Sequence, residues 1–268
     1  MQVPILNQKF YAEPSIFTAD NLLREARRQK SISEGSIPTV CILDPDGDIA
    51  NYLINNGRAS LNPSWACYHT KLYNFSDHDV EYGIVPFVVG ASFAVLVAEE
   101  LFSTGCKLLI SVTSAGQIVA VGQPPYFVLI ERALRDEGTS YHYIPPSNYS
   151  AIDPNLLTDL MPAFENASIQ VLGGATWTTD APFRETLEAI AFARDEGILG
   201  VEMEAAALYA FAEAKQNAVI CFAHITNQMA QIEGDFEKGA DAGSRDALQV
   251  ITLSAQQWVK SVEVEKPD

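Results

Sequence analysis

Two carboxylates flank a thioether at Glu202-Met203-Glu204, where the short run Gly200-Val201 meets the helix-forming stretch Ala205-Ala206-Ala207. Carboxylates so placed are costly to bury without partners. A vicinal diol such as that of a ribose supplies them: one carboxylate grips two hydroxyl donors, and methionine offers an apolar wall to the ring face. Glutamate at a helix start is also favoured by the helix dipole. Taken alone, that ordinary chemistry accounts for the run.

Three further clusters carry hydroxyls and amides. Gly173-Gly174 follows an apolar run and lets a backbone approach a ligand closely. Thr176, Trp177, Thr178, Thr179, Asp180 and Phe183 come next. Thr179 or Asp180 suits a helix cap, and the aromatics serve either to stack on a ring or to fill the core. Thr113-Ser114-Ala115-Gly116 closes the apolar run 107–112 and offers hydroxyls and free amides of the kind that hold an oxyanion. Asn227 ends the run 218–225, and its amide both donates and accepts, as a base edge requires. Each has an ordinary counterpart in turn or cap chemistry. Residues 132–143 add a loop of mixed charge that reads as surface.

These groups must be held by alternating elements. Residues 18–30 read as an amphipathic helix with Asp20 near its start and a basic face of Arg24, Arg27, Arg28 and Lys30. Strands are expected at 39–43, 66–75, 82–88, 107–112, 126–134, 168–172, 200–203 and 218–225. Helices are expected at 92–102, 155–166, 182–196, 205–215 and 244–260. The alternation predicts a three-layer α/β/α sandwich around a mixed, partly closed central sheet. The strand-rich stretch 61–87 is where the sheet is expected to curl. Residues 1–37 form an N-terminal extension and 38–268 the main domain.

The chain has 268 residues, 48% hydrophobic and 19% charged, enough for one sizeable core. A formal charge of −17 argues against a nucleic-acid partner. The four cysteines, Cys41, Cys67, Cys106 and Cys221, lie far apart, so neither disulfides nor a metal site is expected, and no cofactor is implied. The first residues lack a signal-peptide pattern, and no apolar run spans a bilayer. A cytoplasmic protein away from membranes is the expectation.

Taken in order, the runs between residues 38 and 260 resemble the nucleoside phosphorylase family, which contains purine nucleoside phosphorylase, uridine phosphorylase and the methylthioadenosine nucleosidases. Residues 200–206 look like its ribose-binding signature, 90–101 like the helix before its phosphate-contacting strand, and 174–185 like its base-proximal loop. Arg135-Asp136-Glu137-Gly138 resembles a segment of the uridine phosphorylase-like branch. The resemblance implies that Glu204 grips the ribose hydroxyls, Met203 packs on the sugar and Glu202 supports them. It implies that Thr176, Thr178, Asp180 and Asn227 face the base. Asn227 stands where the hexameric purine enzymes place a protonating Asp. With Glu204, Asn227 is a candidate for catalysis, by hydrogen bonding and not by protonation.

The phosphate half departs from the family. Its Gly-Asp-Pro turn reads Leu43-Asp44-Pro45-Asp46-Gly47-Asp48, and Ser111 stands where an Arg is usual, ahead of Thr113-Ser114. Near an incoming dianion each of those acids costs on the order of several kcal/mol in a poorly solvated pocket. Replacement cations among Arg58, Arg132, Arg135 or a neighbouring subunit, water as the nucleophile, and binding without turnover are all open. The resemblance implies a ribonucleoside as ligand, phosphorolysis to free base and ribose 1-phosphate, a nucleophile site at Ser111, Thr113 and Ser114, and a homo-oligomer.

Overall fold

The computed structural model describes residues 3–165, 167–229 and 233–264. Among them, ten strands form a single sheet in the order β10-β6-β8-β9-β5-β1-β4-β3-β2. The strands are β1 (Val40–Asp44), β2 (Ser60–Leu61), β3 (Tyr73–Asp77), β4 (Val80–Pro86), β5 (Leu108–Gln117), β6 (Tyr126–Asp136), β7 (Tyr149–Ala151), β8 (Val171–Thr179), β9 (Gly200–Glu202) and β10 (Ala218–Asn227). The strand β7 pairs with β6, and β10 pairs with β5 as well as β6. That extra pairing closes β5, β10, β6, β8 and β9 on themselves, leaving β1, β4, β3 and β2 as an open flange.

The sheet is mixed. The pairs β1–β4, β1–β5, β5–β10, β6–β8 and β8–β9 are parallel, while β5–β9 and β6–β10 are antiparallel. Parallel strands buried on both faces read as continuous apolar runs, which is why β1 shows no alternation: all five of its residues are buried. Helices α1 (Ala19–Lys30), α3 (Ala91–Thr104) and α6 (Ala205–Lys215) pack together, and α2 (Asp48–Asn55) and α4 (Pro154–Leu160) pack on α7 (Ser244–Val264). A short α5 (Leu187–Asp195) covers Trp177 through Ala189, Ile190 and Ala193. No helix is long and apolar enough to cross a membrane among the described residues.

The three-layer architecture with a partly closed sheet stands, but several local expectations shift. Closure lies at β5–β10 and not in residues 61–87, where only the flange strands form. Residues 66–72 are irregular. The strand β8 runs straight through Gly173-Gly174, and β5 continues to Gln117, so neither motif is a loop. The expected helix at 155–166 ends at Leu160, with a 3-10 turn at Met161–Ala163; Asn166 lies outside the described residues. Thr18, not Asp20, caps α1, and Thr186, not Asp180, caps α5.

The acidic turn, which stands where the family's phosphate turn is expected, also starts a helix. Gly47, with φ 78°, precedes α2 and has no capping side chain. Asp44 does that work instead, accepting from Gly47 N–H at 3.1 Å and Ala50 N–H at 2.8 Å. The extension is docked as well: Leu23 and Ala26 of α1 bury against Ala66, and Lys30 donates to the carbonyls of Ala66 and Cys67.

Candidate functional site

Glu202 ends β9 and Glu204 stands at the cap position of α6, both wholly buried. The strand reaches this depth because Gly200 lies against Ile225 and the Gly116 carbonyl; a Cβ there would sit 2.6 Å from Ile225 Cδ1. The two carboxyls have opposite fates. Glu202 Oε1 accepts from the hydroxyls of Thr176 (3.1 Å) and Thr178, and its Oε2 accepts from the backbone N–H of Glu204 and Ala205, each at 2.7 Å. Glu204 Oε1 accepts from Gly90 N–H at 2.7 Å, while its Oε2 is buried with no partner among the described residues.

Burial pushes both carboxyls above the usual range, and the negative charge of Glu202 adds to the shift at Glu204, raised to about 8. With four donors against one, Glu202 is the member of the pair that holds the charge. Glu204 is then a neutral carboxyl at neutral pH with one oxygen uncommitted. Met203, between them in sequence, is half-buried.

Thr176 and Thr178, expected to face a base, lie against Glu202. Both are fully buried with their protons spent on Glu202, and Thr178 Oγ1 also accepts from Ala206 N–H at 2.9 Å. Asp180 is exposed and accepts from Gly138 N–H at 2.8 Å. Asn227, at the end of β10, pairs with Gly116 of β5, its Oδ1 accepting from Met229 N–H at 2.9 Å and its Nδ2 donating to Thr226 Oγ1 at 3.1 Å. The sulfur of Met229 covers Gly116 so closely that a Cβ there would sit 2.5 Å away. Trp177 is core, whereas Phe183 is 99% exposed at the end of the segment following β8.

The acceptor half divides by the pleat of β5. Thr113 lies close enough to Glu204 to oppose its rise, and Ser114 donates to Asp46 Oδ1 at 3.0 Å. Ser111, two residues back, is 1% exposed with a hydroxyl that has no partner among the described residues. It lies between β1 and β10, inside the sheet and short of the strand's end. The cavity here is about 20 Å³, bounded by Asp44, Asp46, Asp48, Thr113, Ser114 and His224.

Lys238, unforeseen in the sequence, supplies a cation. Its ammonium donates to Asp46 Oδ2 at 3.0 Å and Asp48 Oδ2 at 2.5 Å. Burial pulls its pKa down, but the two carboxylates outweigh that and raise it. Asp44 is raised to about 7, by burial first and then by its two acidic neighbours. His224, stacked on Phe127 with ring centroids 4.4 Å apart, is lowered to about 4 by burial and by Lys238, and is neutral. The other candidate cations are spent elsewhere: Arg135 on Ser140, Ser147 and the Pro145 carbonyl, Arg58 on Asp77, and Arg132 over the Tyr149 ring. Nothing local could have flagged Lys238, a single lysine in a polar stretch.

A larger groove of about 700 Å³ opens between α4, α7 and the far end of α6, and it contains none of these residues. Among the described residues, no group of three acidic, histidine or cysteine side chains is placed to hold a metal.

The family model described as the phosphorylase superfamily matches residues 52–256. A guanosine phosphorylase of Halorubrum lacusprofundi is 28% identical over 145 residues, 54% of this chain and 60% of that protein; the match therefore spans under two thirds of the relative. Uridine phosphorylase of Vibrio fischeri superposes with a TM-score of 0.69 at 20% identity, covering 93% of this chain and 99% of the other. Purine nucleoside phosphorylase of Toxoplasma gondii gives 0.69 at 16% identity, with 84% and 92% covered. AMP nucleosidase of Bacteroides thetaiotaomicron gives 0.68 at 16%, with 92% and 100% covered. At these identities the structural likeness shows the fold.

Proposed function

The chain belongs to the phosphorylase superfamily, and from that premise we propose that it cleaves the N-glycosidic bond of a ribonucleoside and releases the free base. The observation that carries this reading is Glu204 Oε2, a buried carboxyl oxygen without a partner among the described residues, held in place through Oε1 and adjoining Met203. An orphaned polar atom of this kind costs free energy unless a ligand satisfies it. Adjacent ribose hydroxyls are donors of the right reach.

Breaking the bond builds positive charge on the sugar and negative charge on the departing base. Ribose hydroxyls donating to Glu204 favour its ionised form, and the carboxylate so formed stabilises the first. Asn227 is assigned to the base, where its amide hydrogen-bonds the developing charge. Glu202, Thr176 and Thr178 are positioning residues that fix the start of α6. Asp180, tied to the turn at Gly138, shapes the entrance. The acceptor is phosphate in phosphorolysis, giving ribose 1-phosphate as in uridine phosphorylase, or water in hydrolysis, and it meets the sugar on the side of Thr113 and Ser114. A homo-oligomer is part of the same reading.

The test pairs turnover with binding. Base release from a panel of ribonucleosides is the expected result, and Glu204→Gln should weaken ribonucleoside affinity about tenfold or more while changing 2′-deoxyribonucleoside affinity less. Full ribonucleoside affinity in that variant would remove the clamp assignment. Binding without release would leave a nucleoside-binding protein on this fold.

A further inference from the structure

We infer that Asp46 and Asp48, locked on Lys238, exclude phosphate from the acceptor side of the site and leave water to take the ribosyl group. This rests on the N-glycosidic reading above and names its acceptor.

Charge and space agree. The ammonium of Lys238 is already bound to both carboxylates, so the cluster of two acids and one lysine carries a net negative charge toward an arriving anion. Ser114, whose hydroxyl would otherwise donate to a phosphate oxygen, gives its proton to Asp46. The His224 imidazole is stacked against Phe127 and neutral. Asp44 is held by the backbone of its own turn, under α2, and offers an anion no donor.

The recess among these groups measures about 20 Å³. One water needs roughly 10–15 Å³ on such a measure; a phosphate with its four oxygens does not fit without breaking the Lys238 pairs. Thr113 lines this recess and also adjoins Glu204, so the water-sized space and the sugar clamp share a wall.

The reaction balances with water alone. The water oxygen bonds to the anomeric carbon, and the electron pair of the breaking C–N bond leaves with the base. The proton shed by water passes to Asp46 and on to solvent, while the base nitrogen takes up one proton. The products are free base and free ribose.

The wild-type protein is incubated with ribonucleosides in phosphate-free buffer and with inorganic phosphate added, and the sugar product is identified by mass spectrometry. Free ribose, at a rate that phosphate alters by less than about twofold, is expected. Ribose 1-phosphate, at a rate that saturates with phosphate, overturns this inference and leaves the N-glycosidic reading standing. No base release under either condition overturns that reading and this inference with it. The double variant Asp46→Asn/Asp48→Asn frees Lys238 for an anion, and phosphate should then speed base release about tenfold or more. A folded double variant, checked by circular dichroism, that ignores phosphate removes the exclusion from these two residues.

Discussion

Gly90 and Glu204, 114 residues apart, meet at 2.7 Å, the N–H before α3 donating to the carboxyl that opens α6. Two helix starts thus converge on one side chain. The bond fixes Oε1 and leaves Oε2 buried without a partner among the described residues.

Gly90 has φ 91° and ψ 146°, and a Cβ there would meet nothing within 4 Å. The cost of Gly90→Ala is therefore backbone strain alone, about 1–3 kcal/mol. The variant should stay folded with a lower melting temperature, and its KM for ribonucleoside should rise more than its kcat falls. Steady-state kinetics beside a thermal melt checks this; unchanged KM would mean the contact does not orient Glu204.

Glu204 also sets a pH dependence. Its carboxyl titrates near the ordinary 4.5 when unfolded and at about 8 when folded, burial being the main cause. Between those values the unfolded chain binds fewer protons, so stability falls as pH rises from about 4.5 to about 8. Glu204→Gln removes the penalty. Its unfolding free energy should match wild type near pH 5 and exceed it at pH 8 to 9, by a margin on the order of a few kcal/mol. Equal gains at both pH values would contradict the assigned shift.

Thr178 holds two partners, donating to Glu202 and accepting from Ala206 N–H. Thr178→Val keeps the shape and strands both, at about 1–3 kcal/mol. Urea denaturation should show a lower midpoint, and kcat/KM should drop although the residue touches no ligand in this arrangement. Thr178→Ser, which keeps the hydroxyl, should recover most of the activity. A valine variant as active as wild type would demote the Glu202 brace to a bystander.

The sequence made parts of this legible for specific reasons. The run Gly200-Val201-Glu202 announced a short strand entering a helix, and it lies there because glycine and small residues permit the close approach that β9 needs against β5 and β10. The apolar stretches of β1, β4 and β10 were visible because both faces of a parallel strand are buried. Gly173-Gly174 misled, since glycine within a strand and glycine at its end look alike until the partner strand is known. Asp44-Pro45-Asp46-Gly47-Asp48 misled more usefully. Its acidity was plain, while its role as the start of α2 depended on backbone donors that no side-chain pattern displays.

By itself the sequence determined the layered α/β class, the strand-to-helix junction at Glu202 and Glu204, and the acidity of the turn at Asp44. Those follow from local composition and period. Only the tertiary structure decided which of the two glutamates is spent and which is free, because that depends on Thr176, Thr178 and Gly90, brought in from distant elements. It alone placed Lys238 on Asp46 and Asp48, 192 and 190 residues away. Pairings of that range are set by how the sheet closes, and sheet closure is a property of all five strands together.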